Sequence, residues 1–283
     1  MSNNNKLQLG KKNVLKAAWR VDFGMYLEGG GYDSKILLPE RYVPEDLKVG
    51  DEIEVFLYLD NEERLIATTV EPKAMVGDFA YLEVAWVNEY GAFLDWGLMK
   101  DLFCPFREQK MRMEKGKRYI VHVHIDEESY RIMASAKVEH FLSEDMPPYR
   151  RGDEVDMLVW QKTDLGFKVI VDNRFQGLIY DSQIFEDIHT GDRMKGYVSN
   201  VREDGKIDLM AQPSGRRHTK DFAEALLEYL HGNGGTCPLG DKSDAEDIKN
   251  MFHVSKKVFK RAVGDLYRRR LISISDKSIK LNR

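Results

Sequence analysis

Three copies of one small β unit lie along this chain, and the repeat constrains the fold more than any other feature of the sequence. In each copy a glycine, a tryptophan and a second glycine recur, 67 residues apart between the first two copies and 74 or 75 residues apart between the last two. Because three registered copies are hard to produce by chance, this self-similarity comes before any other structural inference. The three sets are Gly10, Trp19 and Gly24; Gly77, Trp86 and Gly91; and Gly152, Trp160 and Gly166.

Each copy also predicts five short strands. A further glycine, at Gly50, Gly116 or Gly191, precedes an alternating apolar pattern of the kind found in half-buried strands. Five such strands separated by turn residues indicate a small barrel or sandwich. In the second copy, residues 107–115 favour a helical turn and residues 137–142 a short helix. The expected strands are 14–19, 22–27, 35–39, 53–59 and 65–70; 78–87, 92–95, 102–105, 119–125 and 131–135; and 154–160, 166–172, 176–180, 194–201 and 206–210.

Two boundary signals follow the second and third copies. Pro147 and Pro148 disfavour both helix and central strand. At residues 212–215 the apolar period changes from about 2 to about 3.6, which is the change from strands to helices. We therefore predict four domains, over residues 1–72, 73–145, 146–213 and 214–283.

The last of these segments has the pattern of a winged helix. Three amphipathic helices are followed by two short alternating strands, and the second and third helices form a helix-turn-helix. Ser243 and Glu246 have capping-box spacing at the start of the second helix. Ser255 is placed to cap the third helix.

Charge is distributed unevenly along the chain. The 283 residues carry a net charge of −4, with a pI of about 6.0. Residues 216–283 hold 15 Lys/Arg and 9 Asp/Glu, a net charge of +6, which leaves 28 Lys/Arg against 38 Asp/Glu, or −10, in the repeats. A basic domain is the usual footprint of a nucleic-acid binder, so the tail fits that role better than the repeats do.

Composition also bears on the compartment. No stretch approaches the ~20 apolar residues that cross a bilayer, and residues 1–6 lack the apolar region of a signal peptide. The two cysteines, Cys104 and Cys237, fall in different units and make no disulfide framework. We expect a soluble protein of the reducing cytoplasm that has no membrane partner.

The strand patterns carry a family resemblance. The second copy contains an aromatic-Gly-Ala-Phe-Leu-Asp stretch at residues 90–95 and a closing strand at residues 131–135, and it resembles the S1 RNA-binding domain, a variant of the OB-fold. The first copy, with Phe23-Gly24-Met25-Tyr26-Leu27, is a fair match. The third copy is a weaker one, because Leu165 and Lys168 replace the two aromatics.

Three S1-like units followed by a winged helix resemble the conserved virulence factor B family of bacterial RNA-binding proteins. The resemblance implies a mainly β chain of tandem five-stranded OB-fold barrels, with a C-terminal α+β domain. It also implies RNA binding without catalysis, and hence a regulator that is not an enzyme. The sequence leaves open the RNA target and the oligomeric state.

The resemblance also implies a set of contact residues, since S1 domains bind through aromatics on the second strand, a side chain at the end of the third strand and an arginine late in the fold. In the second unit these are Tyr90, Phe93 and Arg131, with Asp126 as a fourth contact. Cys104 stands where the family has histidine, and a thiol is a poor hydrogen-bond donor. The other units offer Phe23 and Tyr26 in the first and Phe167 and Tyr180 in the third, the histidine place being taken by Leu38 and by Tyr180.

Stacking is the physical reason for aromatics at such a site. A base laid on an aromatic ring contributes roughly 1–3 kcal/mol and requires no particular sequence. The alternative for Phe93 is packing in the barrel core, whereas Tyr26 and Tyr90 favour the surface because a buried phenol needs a partner. We expect the repeated tryptophans to be structural. The leading hypothesis is that single-stranded RNA crosses the repeats, with the second unit binding best, the first less well and the third mainly structural.

Four cations of the tail are candidates for nucleic-acid contact. Lys256, Lys257, Lys260 and Arg261 lie on the polar face of the third helix, where they are placed to contact phosphates. The alternatives for this face are simple solvation or protein docking. Two further hypotheses therefore stay open: a DNA-binding transcriptional regulator that uses the winged helix, and a protein-interaction scaffold suggested by the acidic repeats.

The sequence offers little for catalysis. It holds no P-loop, no Gly-x-Ser-x-Gly and no His-Glu-x-x-His motif. His122 and His124 share one strand face, a weak metal signal without a nearby cysteine pair, and we interpret them as an exposed polar face. We therefore expect no catalytic residue, no metal site and no cofactor.

Overall fold

The computed structural model describes residues 7–29, 32–184, 187–211 and 216–282. The chain forms two compact units, Met1–Leu142 and Ser143–Arg283. The predicted boundary at residues 212–215 lies outside the described residues, as do residues 1–6, and the division into four domains stays a prediction. Among the helices of the described ranges, none has the length and apolar character needed to cross a membrane.

Barrel 1 opens the first unit as a closed ring of five strands. Its order is β1-β2-β3-β5-β4, with β3 and β5 parallel and β4 returning to pair with β1. This Greek-key closure is that of an OB-fold barrel. The alternating side chains of each strand fill the interior, as the sequence pattern predicts. The strands are β1 (Lys12–Val21), β2 (Gly24–Gly29), β3 (Tyr32–Pro39), β4 (Glu52–Leu59) and β5 (Leu65–Thr68).

Barrel 2 repeats these five strands but has two sheet edges. Its order is β10-β9-β6-β7-β8, so β8 and β10 lie at the edges instead of forming a hydrogen-bonded ladder. The expected helical segments are shorter than predicted, because each is a single 3₁₀ turn, at Phe106–Glu108 and Val138–Phe141. The strands are β6 (Phe79–Val87), β7 (Gly91–Asp95), β8 (Leu102–Pro105), β9 (Arg118–Ile125) and β10 (Ile132–Ser135).

Barrel 3 opens the second unit and is closed, with the same order as barrel 1. Its interior is filled by aliphatic side chains from all five strands, together with Phe175. The three barrels therefore confirm the fold class that the repeat predicts. The strands are β11 (Glu154–Thr163), β12 (Gly166–Val171), β13 (Phe175–Tyr180), β14 (Arg193–Val201) and β15 (Ile207–Met210).

One glycine of the repeat has the same structural task in every copy. Gly50, Gly116 and Gly191 adopt φ values of 99°, 78° and 99°, in a region that favours glycine. Their amides donate to the carbonyls of Ala17, Val84 and Val159 at 2.7, 2.8 and 2.8 Å. The turn before the fourth strand is thereby tied to the first strand, which explains why this glycine recurs.

The winged helix follows barrel 3 and confirms the predicted element order, with one addition. A two-residue strand, too short for a period-2 signal, pairs with the wing in the order β16-β18-β17. Ser255 Oγ accepts a hydrogen bond from the Val258 amide at 3.2 Å, as predicted for the cap of the third helix. The elements are α1 (Arg216–Gly232), β16 (Thr236–Cys237), α2 (Ala245–Phe252), α3 (Lys256–Arg268), β17 (Ile272–Ile274) and β18 (Ile279–Leu281).

The capping box predicted at α2 is wrong. Asp244, not Ser243, is the N-cap residue, and it makes no side-chain capping bond. The Ser243 hydroxyl instead accepts from the Gly240 amide at 2.8 Å. The Ser243 side chain therefore forms a hydrogen bond within the loop before α2, and it does not cap the helix as the pattern predicted.

Barrels 1 and 2 share a hydrophobic contact within the first unit. Phe56 and Tyr58 point away from the interior of barrel 1 but are buried, because they pack with the core residues of barrel 2. Trp96 of barrel 2 meets Phe56 edge to face, with ring centroids 5.7 Å apart. Its Nε1 donates to the Lys100 carbonyl at 2.6 Å. The outer face of β4 is thus an interface rather than a solvated surface.

The interpretation of His122 and His124 as an exposed polar face is wrong. Both side chains lie beneath Phe141, whose ring centroid is 4.1 Å from that of His122 and 4.9 Å from that of His124. Their Nδ1 atoms are buried without a hydrogen-bond partner among the described residues. Burial first, and then the neighbouring His124, lowers the pKa of His122 to about 4, and burial also lowers the pKa of His124.

We expect this buried pair to make barrel 2 sensitive to acid. The unfolded chain, with a histidine pKa of about 6.5, takes up protons before the folded chain does, so stability is lost as pH falls from about 6.5 towards 4. Between pH 7 and pH 5 the loss from His122 should be about 1–2 kcal/mol after solvent screening. Urea unfolding at several pH values measures it.

A matched pair of variants isolates the effect. His122→Phe keeps a ring against Phe141 and Phe79 and should flatten the pH dependence over this range. His140→Gln changes an exposed histidine of the same 3₁₀ turn and should leave it unchanged. Equal pH profiles for the wild type and His122→Phe would show that burial of this ring does not govern the acid response. Asp78 and Lys11 also act on His122, and neither changes in these variants.

Candidate nucleic-acid interface

A β-bulge sets the register of the first two strands in every barrel. The pairing shifts between Ala17 and Trp19 in barrel 1, between Val84 and Trp86 in barrel 2, and between Val159 and Gln161 in barrel 3. A bulge re-aims the side chains that follow it. The cross-strand pairs just beyond the bulge are Trp19 with Tyr26, Trp86 with Phe93, and Gln161 with Lys168.

In barrel 2 this register produces a row of three rings across neighbouring strands. Trp86 of β6 stacks on Phe93 of β7 with centroids 3.6 Å apart and an angle of 4° between the rings. Phe93 in turn meets Phe103 of β8 at 4.9 Å. Tyr90, at the start of the strand, is 65% exposed. We call Trp86, Phe93 and Phe103 the aromatic row.

The expectation that Trp86 is structural is wrong. The side chain is 42% exposed, and its Nε1 donates to Asp101 Oδ2 at 2.8 Å. Cross-strand stacking on Phe93 fixes the orientation of the ring beside its neighbour, and the side chain stays partly exposed to solvent. Trp86 is therefore part of the same surface as Phe93 rather than of the core.

A cavity of about 450 Å³ adjoins the row where the two sheet edges of barrel 2 meet. Leu102 and Phe103 of β8 form one side, and Ile132 and Met133 of β10 form the other. Its size falls within the usual range of small-molecule sites, about 300–1,000 Å³. Tyr90, Phe93 and Arg131, which the sequence analysis put forward as a contact set, all line this cavity.

Barrel 1 contributes the remaining wall of the cavity. Tyr58, Leu59 and Glu63, from β4 and the turn that follows it, line the side opposite the aromatic row. Arg131 forms an ion pair with Glu63 across the junction. Lys100, also on the wall, donates to the Asp60 carbonyl at 2.7 Å, and burial lowers its pKa. Two cations, Arg131 and Lys100, and two carboxylates, Glu63 and Asp101, thus border an apolar, partly aromatic cavity.

Barrel 1 carries a smaller aromatic cluster at the equivalent positions. Trp19 stacks on Tyr26 with centroids 5.0 Å apart, and the exposed Phe23 meets Tyr26 edge to face at 6.3 Å. Tyr26 is half-buried, as is Trp19. Phe23 and Tyr26, the two predicted residues of this barrel, therefore lie together. Trp19 joins them, although the sequence analysis expected it to have a structural role.

Barrel 3 has lost the aromatic pair, and both residues predicted there need correction. Phe167 is equivalent to Met25 and Ala92, so it points inward and packs against the core of barrel 3. Tyr180 pairs with Gly166, so it stands one residue beyond the histidine place. Its hydroxyl accepts from Arg202 Nη2 at 2.7 Å. The outward pair is Gln161 and Lys168, and Trp160 is buried at the bulge.

Two residues of barrel 2 have roles other than the predicted ones. Asp126 is only 13% exposed; its Oδ2 accepts from the Ser129 amide and hydroxyl at 3.0 and 2.7 Å. Its Oδ1 accepts from Arg107 at 2.8 Å, so the carboxylate organises a turn and is not free to contact a ligand. Cys104 points into the core, and burial raises the pKa of its thiol to about 12. The thiol is therefore not part of the outer surface.

The basic face of the winged helix lies along α3. Lys257, Lys260 and Arg261 are exposed, whereas Lys256 is half-buried beside the cap. Lys260 forms an ion pair with Asp241 at 3.2 Å. Gly264 continues the same face, and nothing in the described structure lies within 4 Å of where its Cβ would be. The face is therefore flat and positively charged.

Sequence reasoning missed four residues of the cavity and its rim. The positions of Trp86 and Phe103 depend on the bulge and on the β7–β8 register, which the pattern of a single strand does not reveal. The positions of Glu63 and Lys100 depend on how barrel 1 packs on barrel 2, which the sequence does not show. Only Trp86 carried a usable signal, since it recurs at the same distance from the strand-two aromatic in barrels 1 and 2 but not in barrel 3.

Comparisons with known proteins agree with this architecture. A family model of the S1 domain matches residues 9–70, which form barrel 1, whereas the sequence analysis placed the best resemblance on the second copy. A model of the CvfB-like winged helix domain matches residues 224–281.

Full-length relatives are also found. The chain is 31% identical over 265 residues to the uncharacterized protein YitL of Bacillus subtilis (strain 168), covering 91% of this chain and 88% of that protein. It is 22% identical over 260 residues to conserved virulence factor B of Staphylococcus aureus (strain N315), covering 89% and 87%. A solved structure described as a multidomain protein with nucleic acid binding domains from Streptococcus pneumoniae TIGR4 is 23% identical, with a TM-score of 0.43 and coverage of 97% of this chain and 98% of that chain.

Proposed function

The chain belongs to the conserved virulence factor B family, and from this premise we propose that it is a non-catalytic protein that binds single-stranded RNA and acts as a post-transcriptional regulator. The observation that carries the proposal is the aromatic row of barrel 2 beside a cavity bordered by Arg131 and Lys100. Aromatic rings on an exposed sheet face have little to contribute to a core, and they mark a binding surface.

The chemistry of the row favours unpaired bases. Rings on three neighbouring strands offer flat apolar area to bases that have been splayed out of a stack, and duplex bases are not available for such contacts. Arg131 and Lys100 supply positive charge for the backbone that follows those bases. The half-exposed Trp86 provides the first stacking face, and the cavity accepts a neighbouring base.

Barrel 1 extends the proposed path. Trp19 and Tyr26 occupy the positions of Trp86 and Phe93, and Phe23 occupies that of Tyr90. The turn between β4 and β5 links barrel 1 to the cavity, because Glu63 of that turn pairs with Arg131. Barrel 3, with Gln161 and Lys168 in place of the rings, contributes spacing and structure.

A titration of the full chain tests the proposal. Fluorescence anisotropy with a labelled single-stranded RNA of about eight nucleotides, a length suited to one OB-fold, should show binding that weakens as salt rises from 50 to 200 mM, as expected where cations contact phosphate. RNA should compete better than DNA of the same sequence. Absence of binding at the lower salt concentration would refute the proposal.

The basic face of α3 favours a second candidate, a winged-helix protein that binds DNA. Lys257 and Arg261 are exposed and make no ion pair within the described residues, so they are free for phosphate contacts. The same competition experiment separates the two functions. Duplex DNA that displaces the RNA, with an affinity reduced by Lys257→Ala plus Arg261→Ala, would support the DNA-binding function instead.

A further inference from the structure

The cavity between barrels 1 and 2 combines an apolar wall with a few polar groups. Phe93 and Phe103 form an apolar wall, with their rings 4.9 Å apart and tilted by 35°. Tyr58 stands on the barrel 1 side, 5% exposed, and its hydroxyl makes no hydrogen bond with any described residue. An apolar wall that ends in a few convergent polar groups is the usual arrangement of a site that orients one heterocycle.

The polar edge of this cavity contains a carboxylate that barrel 1 supplies. Two carboxylates line the walls, but Asp101 already accepts from Trp86 Nε1 at 2.8 Å. The Glu63 carboxylate forms an ion pair with Arg131, and the two side chains are 48% and 54% exposed. An ion pair this exposed contributes little to stability. Opening it for a ligand is therefore inexpensive, and both charged groups remain beside the cavity.

Glu63 also occupies a left-handed backbone position, where a residue with a side chain is less favourable than glycine. It adopts φ 63°, as Tyr130 does at φ 55° in the equivalent turn of barrel 2 and Gly205 at φ 77° in that of barrel 3. The turn thus requires a left-handed residue, which glycine supplies without strain. Barrel 1 carries glutamate there instead, and its carboxylate faces the aromatic row of the next barrel.

The chemistry of the four bases then discriminates among ligands. A carboxylate only accepts hydrogen bonds, and it can accept two side by side. Guanine is the base whose Watson–Crick edge presents two adjacent donors, the N1–H and the N2 amino group. Adenine, cytosine and uracil each place an acceptor next to their donor. The O6 and N7 acceptors of guanine suit a lysine or arginine, the donors that flank Glu63 here.

We infer that this cavity is a guanine-selective subsite of the single-stranded RNA path, and that Glu63 of barrel 1 is its specificity-determining residue. The base packs against the apolar wall that includes Phe93 and Phe103, its N1–H and N2 amino group donate to the Glu63 carboxylate, and Arg131 turns to the adjacent phosphate. The inference rests on the proposed function and deepens it, since that function requires no base preference.

Four labelled RNA oligonucleotides test the subsite. Each is an octamer of uridine in which one central position is guanosine, adenosine, cytidine or unchanged uridine. The full chain should bind the guanosine octamer about tenfold more tightly than the other three, the discrimination expected of one bidentate pair. In Glu63→Gln the ratio should fall to about one- to twofold, because the amide offers one acceptor instead of two.

Glu62→Gln is the matched control. It removes the same charge from the same turn, but the Glu62 carboxylate pairs with Arg64 at 2.8 Å and does not line the cavity. The Glu62→Gln variant should keep the tenfold preference for guanosine. Comparing it with Glu63→Gln therefore separates the general effect of losing one negative charge from the selection of the base. Tight binding of all four octamers with equal affinity would overturn the subsite and leave RNA binding intact. Failure to bind any octamer at low salt would overturn both, and a preference that survives Glu63→Gln would exclude Glu63 as its source.

Discussion

Replacing Trp86 and Phe93 together with alanine should weaken binding of a short single-stranded RNA by roughly 30-fold. The two rings stack with their centroids 3.6 Å apart, and Trp86 is partly exposed, so the double variant removes the proposed platform for one stacked base. A stacked base contributes roughly 1–3 kcal/mol, and about 2 kcal/mol corresponds to the stated change in Kd. Anisotropy titrations of the wild type and the double variant measure it.

Two control variants make the prediction quantitative. Trp19→Ala plus Tyr26→Ala removes the equivalent pair of barrel 1, and the loss should be smaller, about fivefold, because neither residue lines the cavity that Arg131 and Lys100 border. Gln161→Ala alters the same position in barrel 3 and should change affinity less than twofold. Equal losses in barrels 1 and 2 would contradict the unequal use of the repeats. An unchanged affinity in Trp86→Ala plus Phe93→Ala would remove the aromatic row from the binding site.

The fold could be predicted because the three copies of the repeat can be compared with one another. A strand that is ambiguous in one copy is supported by its equivalents, and the second copy located the edges of its strands to within a residue or two. Alternation of apolar side chains is a local property, and a barrel interior imposes it on every strand. The failures lie where a side chain has two local choices, as with Ser243, whose hydroxyl binds the Gly240 amide and not the start of α2.

The candidate site could be predicted only in part, for reasons of register. Tyr90, Phe93 and Arg131 come from a motif that keeps its spacing, and they line one cavity. Phe167 and Tyr180 each stand one residue from the expected place, because the spacing of 75 residues at the glycines makes Lys168 and Ile179 the equivalents of Phe93 and Cys104. The bulge has the same place in each barrel, but barrel 3 carries Trp160 in the place of Ala85 and Gln161 in the place of Trp86.

The contribution of one barrel to the site of the next has no local signature. Glu63 and Tyr58 face the cavity because Phe56 and Trp96 dock the outer face of β4 on barrel 2. In the sequence, Phe56 and Tyr58 belong to the unbroken apolar run 55–59, which does not reveal what covers the outer face of the strand. Their burial shows that barrels 1 and 2 pack against each other.

Gly91→Ala should destabilise barrel 2 by about 3 kcal/mol, since overpacking and backbone displacement commonly cost this much. An added Cβ would lie 2.3 Å from the Cys104 carbonyl oxygen and 2.8 Å from the Pro105 Cα, both backbone atoms of β8. Contacts this short do not occur, so β7 and β8 must separate. The separation also parts Phe93 from Phe103, and RNA affinity should fall with stability. Hydrogen exchange of the β7 and β8 amides measures the local change directly.

Gly116→Ala is the informative comparison in the same barrel. Its φ of 78° disfavours alanine, but nothing in the described structure lies within 4 Å of the added Cβ. Backbone strain alone should cost about 1 kcal/mol there, without faster exchange in β7 and β8 than elsewhere in the barrel. If Gly91→Ala cost no more than Gly116→Ala, the close approach of β7 and β8 would not be what requires glycine at position 91. The larger and localised loss is the result expected of a glycine that lets the aromatic row assemble.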